Sequence, residues 1–327
     1  MILLFTVIVY KTVKVIFFLL LIMETNKSSV VLLGDGFFAR GFLHHINYNK
    51  FIVTQIYKDE FINPQDIIYS LEREKKYTKS FHFRDIINKF LKYPQIKIKE
   101  EIKSMEIINS NININNKNYK FDYLVIGLGA SKSLSDWKDE INKLYNYKYI
   151  NIIGMGPIGL EMANILSHKN YSIKMFDLLD KDKIFNYISP NNRELLFNNL
   201  NKVEMNFGIK CNEPYGYNLY CIGTRPNVLT QNFKPINEYL QIDENIYVGG
   251  DCSNNNFIKT GQVAYQQGVY VAKRLNGDIP LDKPFEYSHN GISLHLGNKK
   301  VLIEGHNILP DAVYPDFFIK MYSMFFI

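Results

Sequence analysis

Short apolar runs recur along the chain, and several of them end at a glycine. Two of these runs, Val30–Leu33 and Ile150–Ile153, are each followed by a glycine-rich turn and by a segment with helical spacing of its apolar residues. A second apolar run then follows in each case, at Phe51–Tyr57 and at Tyr171–Asp177. Such runs, flanked by helices, are typical of parallel strands buried on both faces of a sheet. The pattern predicts an α/β fold.

The two turns read G-D-G-F-F-A from Gly34 and G-M-G-P-I-G from Gly154. In a dinucleotide-binding turn the first glycine permits a tight bend, the second lets the backbone approach a pyrophosphate, and a small third residue allows close helix–strand packing. The pyrophosphate then lies at a helix N-terminus, where free N–H groups and the helix dipole favour an anion. One such turn is weak evidence, but two in the same context predict two nucleotide-binding folds. The candidate cofactor-binding residues are Gly34, Gly36, Phe37, Phe38 and Ala39 in the first turn and Gly154, Gly156, Pro157, Ile158 and Gly159 in the second.

The second strands of the two copies end differently. Twenty-three positions separate Gly34 from Tyr57, and the same number separates Gly154 from Asp177. A carboxylate at Asp177 can accept hydrogen bonds from an adenosine ribose and would repel a 2′-phosphate, which favours NADH over NADPH. Tyr57 can make only one hydrogen bond there, and Asp59 is a candidate substitute. The first site is therefore expected to be weaker at this end.

Composition excludes several classes of protein. The chain has 327 residues, a formal net charge of +6 and only three cysteines, none of them in a Cys-x-x-Cys pair. A disulfide scaffold and a zinc ribbon are therefore disfavoured, and no histidine spacing indicates a metal site. The lysines are scattered along the chain, which favours a solvated surface over a nucleic-acid-binding face. Because the abundance of Asn, Lys and Ile is typical of AT-biased coding, the asparagine run at 109–118 is expected to carry little structural information.

Residues 1–23 are almost wholly apolar, interrupted by Lys11 and Lys14. A signal peptide and a membrane anchor are two interpretations, but no small-residue cleavage site follows, and each lysine would cost roughly 2.5–3.5 kcal/mol within a bilayer. The third interpretation is that translation starts at Met23, just before the first strand. We favour this one, and leave the anchor open.

Further segments extend the pattern in a fixed order. Phe121–Ala130 and Leu219–Asn227 each read as a strand that runs into a glycine turn, Asn245–Ser253 places an acid after a strand and two glycines, and Thr260–Gly277 reads as a helix. In this order the segments resemble the two-dinucleotide-binding-domain flavoproteins, or pyridine nucleotide–disulfide oxidoreductase family. The resemblance spans about residues 30–296.

The resemblance implies two Rossmann-like domains, of which the first binds FAD and the second, inserted into it, binds NADH. It also implies that Asp251 hydrogen-bonds the ribityl chain of the flavin, and that Gly129 and Gly223 lie in cofactor-binding turns where the chain crosses between domains. The expected domains are an FAD-binding domain at 24–130 and 223–284, a shortened NADH-binding domain at 131–222, and a short C-terminal region with an apolar tail at 285–327. The disulfide-reductase branch is disfavoured because no cysteine precedes Cys211.

Within this family the chain is most similar to the type II NADH:quinone oxidoreductases. Their Ala-Gln-x-Ala-x-Gln-Gln pattern, associated with a quinone pocket, is matched from Gly261 to Gln267 with one departure at Gly261. The resemblance implies catalytic roles for Glu161, near the nicotinamide and flavin, and for Gln262 and Gln266, at the quinone. The alternatives are a helix N-terminal carboxylate at Glu161 and glutamines that only cover the flavin.

The expected function is therefore an FAD-dependent NADH dehydrogenase that passes electrons to a quinone-type acceptor without pumping protons. Two alternatives stay open: a soluble NADH oxidase or ferredoxin reductase, and a non-catalytic flavin-binding protein of the apoptosis-inducing-factor type, favoured by Tyr57 and the short second domain. The aromatic tail Pro315–Ile327 is expected to contact a membrane surface on the cytoplasmic side, or else to pack on the protein or on a second subunit. A homodimer is left open.

Overall fold

The computed structural model describes residues 27–58, 95–130, 134–213, 215–223, 225–253, 256–289, 291–295, 300–304 and 313–315. The expectations made for residues 1–23, for Asp59 and for the tail after Pro315 lie outside these ranges. Within them, no helix combines the length and the hydrophobicity needed to cross a bilayer.

The secondary structure alternates strands and helices. In chain order the strands are β1 (Ser28–Leu33), β2 (Phe51–Tyr57), β3 (Ile96–Lys99), β4 (Met105–Ile108), β5 (Asn111–Ile114), β6 (Lys117–Lys120), β7 (Tyr123–Ile126), β8 (Tyr149–Ile153), β9 (Ser172–Asp177), β10 (Glu204–Phe207), β11 (Tyr217–Tyr220), β12 (Gln241–Asp243), β13 (Ile246–Val248), β14 (Ile292–His295), β15 (Lys300–Glu304) and β16 (Val313–Pro315). The helices are α1 (Phe37–His45), α2 (Leu134–Leu144), α3 (Pro157–Ser167), α4 (Pro190–Asn198) and α5 (Gly261–Asn276).

The chain folds into two compact units. Within the described ranges, one unit contains residues 27–58, 95–129 and 226–287, and the other contains residues 130–225 and β14–β16. The second unit thus interrupts the first along the sequence. The predicted α/β class with two Rossmann-like folds, one inserted into the other, is confirmed.

The first unit is built on a six-stranded sheet in the order β12-β13-β7-β1-β2-β3. All its neighbouring strands are parallel except β12 and β13. Val30 and Leu32 pack into one hydrophobic cluster, whereas Val31 and Leu33 pack into another on the opposite face. Burial on both faces explains why β1 is continuously apolar.

The second unit is built on a parallel sheet in the order β10-β9-β8-β11. Its core combines residues of the sheet with Leu160 and Ala163 of α3 and Leu196 of α4. Leu294 of β14 is also buried in this core. Phe285, the first residue of the predicted C-terminal region, is buried in the first unit against Phe257 and Tyr270.

The asparagine run at 109–118 was expected to be uninformative, and this was wrong. Strands β4–β6 form an antiparallel sheet whose two turns contain three residues with positive φ, Asn109 (52°), Asn115 (50°) and Asn116 (67°). Asparagine tolerates this left-handed conformation better than most residues, and a two-residue turn with both φ values positive matches the twist of a hairpin. Its turn chemistry was therefore a usable signal.

Candidate functional site

The two glycine turns have the same backbone geometry. Gly34 has φ of 106° and Gly154 has φ of 103°, and each donates its N–H to the second strand of its copy, to Ile56 O and Phe176 O respectively, at 2.8 Å. A Cβ at either glycine would overlap a carbonyl oxygen at the end of a neighbouring strand. Both the positive φ and the close approach therefore require glycine at these two positions.

The second glycines leave open space beside the helix N-termini. Gly36 and Gly156 are the N-caps of α1 and α3, and no heavy atom lies within 4 Å of the position that a Cβ would take. Neither helix has a side-chain cap. By contrast, Ser189 and Thr260 cap α4 and α5 with their own side chains. The first-turn N–H groups of α1 and α3 are thus left without the side-chain acceptor that most helices carry.

The third position of each turn is small, and α1 packs closely on its sheet. Ala39 is fully buried, and a Cβ at Gly159 would overlap the carbonyl oxygen of Gly154. The ring of Phe38 is 2% exposed and fills the space over Gly127 and Gly249. The side chain of Phe38 is therefore part of the core, and this predicted site residue can offer a ligand only its backbone.

The other predicted residues of the two turns lie at the helix starts. Phe37 packs against Gly261 at the start of α5. Pro157 is the first residue of α3 and has no N–H, as is common at that position. Ile158 is partly buried against the core of the second unit.

The strand ends differ, as the sequence predicts. In the second unit Asp177 ends β9, and its carboxylate accepts the backbone N–H of Met155 at 2.7 Å and that of Leu179 at 2.8 Å. It therefore lies against the glycine turn. In the first unit Tyr57 ends β2, and its backbone oxygen accepts the N–H of Glu100 at 2.8 Å.

Asp251 lies in a single turn of 3-10 helix, Gly250–Cys252, that follows β13 at the carboxyl end of the first sheet. Within the described ranges no residue donates a hydrogen bond to its carboxylate. Burial raises the pKa of Asp251, and the nearby ammonium group of Lys259 opposes that increase. A partly buried carboxylate that lacks donors is costly in the free protein, so the site fits a ligand that supplies hydroxyl groups.

The turn that carries Asp251 is held by buried side chains. Gln267 is 1% exposed, and its Oε1 accepts the N–H of Gly250 at 2.7 Å. Ser253 Oγ donates to Gly250 O at 2.6 Å, and Thr230 Oγ1 donates to Cys252 O at 3.0 Å. Sequence reasoning missed these residues. The sequence did hold a signal for Gln267. Because it directly follows Gln266, it lies on a different face of α5 and has to serve a different set of contacts.

The three predicted catalytic residues lie on two helices of different units. Glu161 is in the second turn of α3 and is 6% exposed. Gln262 and Gln266 are one turn apart on α5, and Gln262 Oε1 accepts a hydrogen bond from the hydroxyl of Tyr287. The structure therefore brings Gln262 and Gln266 together on one helix face.

Gly129 and Gly223 follow the ends of β7 and β11. Their φ values are 72° and 88°, and at neither residue would a Cβ meet another atom within 4 Å. Each therefore forms an open turn at the carboxyl end of its sheet, where ligands bind in α/β folds.

The three cysteines, Cys211, Cys221 and Cys252, are free. Burial raises the pKa of the Cys252 thiol to about 11, so it is a packing residue rather than a nucleophile. In the part of the chain that the structure describes, no group of three or more His, Cys, Asp or Glu side chains is placed to hold a metal ion.

Comparison with known proteins supports the fold. No protein-family model matches the chain. A curated relative described as "Probable NADH dehydrogenase", from Dictyostelium discoideum, is 23% identical over 204 residues, which are 56% of this chain and 45% of that protein. The match thus covers just under half of the relative.

Two solved structures cover most of the chain. A ferredoxin reductase from Rhodopseudomonas palustris is 16% identical with a TM-score of 0.67, over 85% of this chain and 82% of its own. A water-forming NADH oxidase from Lactobacillus brevis, bound to NADH, is 16% identical with a TM-score of 0.64, over 85% of this chain and 75% of its own. The chain therefore has the fold of the pyridine-nucleotide oxidoreductases that its motifs resemble.

Proposed function

We propose that this protein is an FAD-dependent NADH dehydrogenase that passes electrons from NADH through the flavin to a quinone-type acceptor. The observation that carries the proposal is the repeated glycine turn, which twice places an uncapped helix N-terminus beside open space. Two pyrophosphate-binding sites in one chain are what an enzyme with two dinucleotides requires.

The first cradle, which we define as residues 34–39 with Tyr57, Gly129 and Asp251, would bind FAD. Gly36 leaves room for the pyrophosphate, and the N–H groups at the start of α1 would hold it. The carboxylate of Asp251 would accept hydrogen bonds from the ribityl hydroxyls. This contact would supply hydrogen-bond donors to Asp251, whose carboxylate receives none from the described residues.

The second cradle, which we define as residues 154–159 with Asp177 and Gly223, would bind NADH. Gly156 and the start of α3 offer the same open N-terminus as in the first cradle. Asp177 would accept the hydroxyls of the adenosine ribose and disfavour the 2′-phosphate of NADPH. The name of the Dictyostelium relative and the NADH bound in the Lactobacillus oxidase support this nucleotide.

Bound FAD would supply the ability to accept two electrons as a hydride from NADH. The side chain of Glu161, buried on α3, would position the nicotinamide. The amides of Gln262 and Gln266 would hydrogen-bond a quinone carbonyl without adding charge to an apolar pocket. A quinone acceptor would also give the apolar tail after Pro315 a role in contacting a membrane.

A soluble acceptor is the second candidate function. It is favoured by the similarity in fold to an oxidase that forms water and to a ferredoxin reductase. In that case Gln262 and Gln266 would only cover the flavin.

The choice of acceptor can be tested by steady-state NADH oxidation with a short-chain quinone, dioxygen, a ferredoxin or ferricyanide. We expect the quinone to be reduced faster than dioxygen or ferredoxin. We also expect Gln262→Leu to lower the quinone rate while the ferricyanide rate, which needs no pocket, stays unchanged. A faster rate with ferredoxin or dioxygen, or an equal loss with ferricyanide, would contradict the quinone assignment.

A further inference from the structure

Lys259 is hydrogen-bonded to the turn that carries Asp251. Its ammonium group donates to the backbone oxygen of Ser253 and, at 3.3 Å, to Ser253 Oγ. Ser253 is fully buried, and its hydroxyl in turn donates to Gly250 O at 2.6 Å. The charged end of Lys259 is therefore fixed to a residue two positions from Asp251, on a turn that is itself held in place.

The charge of Lys259 takes part in no direct ion pair. Its side chain is partly buried, and within the described ranges no carboxylate oxygen lies within 4.0 Å of its Nζ. Burial lowers the pKa of Lys259, and the carboxylate of Asp251 opposes that decrease. The ammonium group in turn opposes the increase that burial causes in the pKa of Asp251. The two charges thus stabilise each other over more than 4.0 Å, and the lysine does not occupy the carboxylate.

The other groups packed around Asp251 are neutral. α5 contacts the turn through Gln267, and the charged residues of α5 lie in its last turn. The segment before β12 contributes the hydroxyl of Thr230, and the turn after β7 contributes backbone groups. Burial raises the pKa of the adjacent Cys252 thiol to about 11, so it carries no charge at neutral pH. Among the residues that the structure describes, Lys259 is therefore the charged group that acts on Asp251.

The hydrogen bonds to Ser253 do not by themselves require a lysine. A neutral amide side chain could donate them as well, and burying an ammonium group is costly unless an opposite charge compensates it. Asp251 provides this compensation for Lys259. The same attraction favours the ionised carboxylate, which is the form that accepts hydrogen bonds on both oxygens.

We propose that Lys259 is a positioning residue of the first cradle, which keeps Asp251 ionised and thereby sets the pH range over which the protein holds FAD. The inference rests on the proposed function, since it takes FAD as the ligand of Asp251. Lys259 acts through Asp251 and needs no contact with the flavin. Removal of the ammonium group should therefore shift the protonation of Asp251 to higher pH.

The test is the dissociation constant of FAD as a function of pH, measured by quenching of flavin fluorescence as the apoprotein is added. Lys259→Met removes the charge and keeps an unbranched side chain. It should move the loss of FAD affinity on acidification to higher pH. At the pH where the original protein is midway through this loss, the variant should bind FAD about threefold more weakly. At higher pH, where Asp251 is ionised in both proteins, the two should bind FAD equally.

Three further variants separate the charge from structural damage. Lys259→Arg keeps a positive charge and hydrogen-bond donors, and its pH profile should follow that of the original protein. Lys273→Met removes an exposed lysine from the last turn of α5 and is the matched control, with no change expected. Lys259→Met combined with Asp251→Asn should bind FAD no more weakly than Asp251→Asn alone, because the lysine acts only through that carboxylate.

Thermal unfolding of the apoprotein tests the charge pair without FAD. At neutral pH, Asp251→Asn should raise the melting temperature more in the Lys259→Met background than in the original protein. The reason is that an ionised Asp251 is less favourable in the fold when the ammonium group is missing. In the Lys259→Arg background the increase should be the same as in the original protein.

Each contrary result is distinct. A pH profile of Lys259→Met that overlies the original would overturn the inference, while the proposed function would stand. A profile lowered by the same factor at every pH would also overturn it, because Lys259 would then serve only its hydrogen bonds to Ser253. If the original protein binds no FAD at any pH, the proposed function itself fails, and the inference falls with it.

Discussion

The first and second cradles share a backbone and differ in their polar side chains. The turn glycines have φ values within a few degrees of each other and the same hydrogen bond to the second strand. Around these glycines the first unit has the polar residues Asp35, Arg40 and Gln55, whereas the second unit has apolar residues at the equivalent positions and an acid at Asp177. Steric requirements of the turn therefore preserve its backbone geometry, while the side chains around it are free to differ between the two copies.

The N-termini of the helices also differ, in whether a side chain of the protein caps them. Ser189 and Thr260 cap α4 and α5, so those two ends are complete within the protein. Gly36 and Gly156 provide no cap to α1 and α3, and a ligand would complete these ends. The missing caps mark sites where the fold leaves N–H groups to a ligand.

The largest expected effect is on stability. Gly34→Ala and Gly154→Ala should each lower the free energy of unfolding by about 3 kcal/mol or more, because a Cβ would overlap a carbonyl oxygen at a positive φ. The matched controls Gly36→Ala and Gly156→Ala should change it by less than about 1 kcal/mol, since their φ values suit alanine and the space is open. Urea unfolding would measure all four. Equal losses in the two pairs would contradict the steric difference between the first and second glycines of each turn.

The same two controls should be damaging to ligand binding. A methyl group at residue 36 or 156 would occupy the space proposed for the pyrophosphate, with an expected loss of about a hundredfold in affinity, or roughly 2.7 kcal/mol. Gly36→Ala should lower the FAD content and leave NADH binding intact, while Gly156→Ala should do the reverse. FAD absorbance and NADH titration would check this. A variant that loses both ligands would show that the cradles are not separate sites.

The protonation state of Asp251 is expected to control the affinity for FAD. In the proposed FAD site its ionised form would accept the ribityl hydroxyls, so FAD affinity should fall about tenfold as the pH falls through the raised pKa of Asp251 in the apoprotein. Asp251→Asn should bind FAD weakly at every pH in this window. A variant whose FAD affinity keeps the pH dependence of the original protein would exclude Asp251 as its source.

The raised pKa also has a consequence for stability. An acid whose pKa is higher in the folded than in the unfolded chain makes the fold less stable when it is ionised. Its effect on the free energy of unfolding is absent below the unfolded pKa near 3.9, and it is complete once the pH has risen through the folded pKa. Apoprotein with Asp251→Asn should therefore be more stable than the original at neutral pH. Thermal unfolding of both apoproteins would show a smaller difference at low pH.

The smallest effect concerns nucleotide choice. Asp177→Asn should lower the preference for NADH over NADPH about fivefold, because the negative charge that disfavours the 2′-phosphate is removed. The ratio of kcat/KM for the two nucleotides would measure it. An unchanged ratio would mean that Asp177 serves only the hydrogen bonds to Met155 and Leu179.

The sequence predicted the repeated units closely, because strong steric and burial requirements leave a clear pattern. The second strand of the first copy was predicted at its observed bounds, Phe51–Tyr57. It did not reveal α2, since that helix lies on a polar stretch. It also missed β4–β6, whose signal lay in the left-handed turns of Asn115 and Asn116 rather than in hydrophobic runs.

Candidate residues were predicted best where one backbone motif dictates them. Gly34 and Gly154 followed from the fingerprint alone. Gln267 did not, because its role in holding the turn of Asp251 depends on which neighbours it meets across the fold. Its contact with Gly250 joins positions 17 residues apart and leaves no local pattern.

The most direct test of the central claim is an anaerobic titration of the FAD-loaded protein with NADH, followed at about 450 nm. We expect the flavin absorbance to bleach with about one NADH per flavin and to return when a quinone is added. Flavin that stays oxidised in excess NADH, or a protein that binds only one of the two nucleotides, would contradict the central claim.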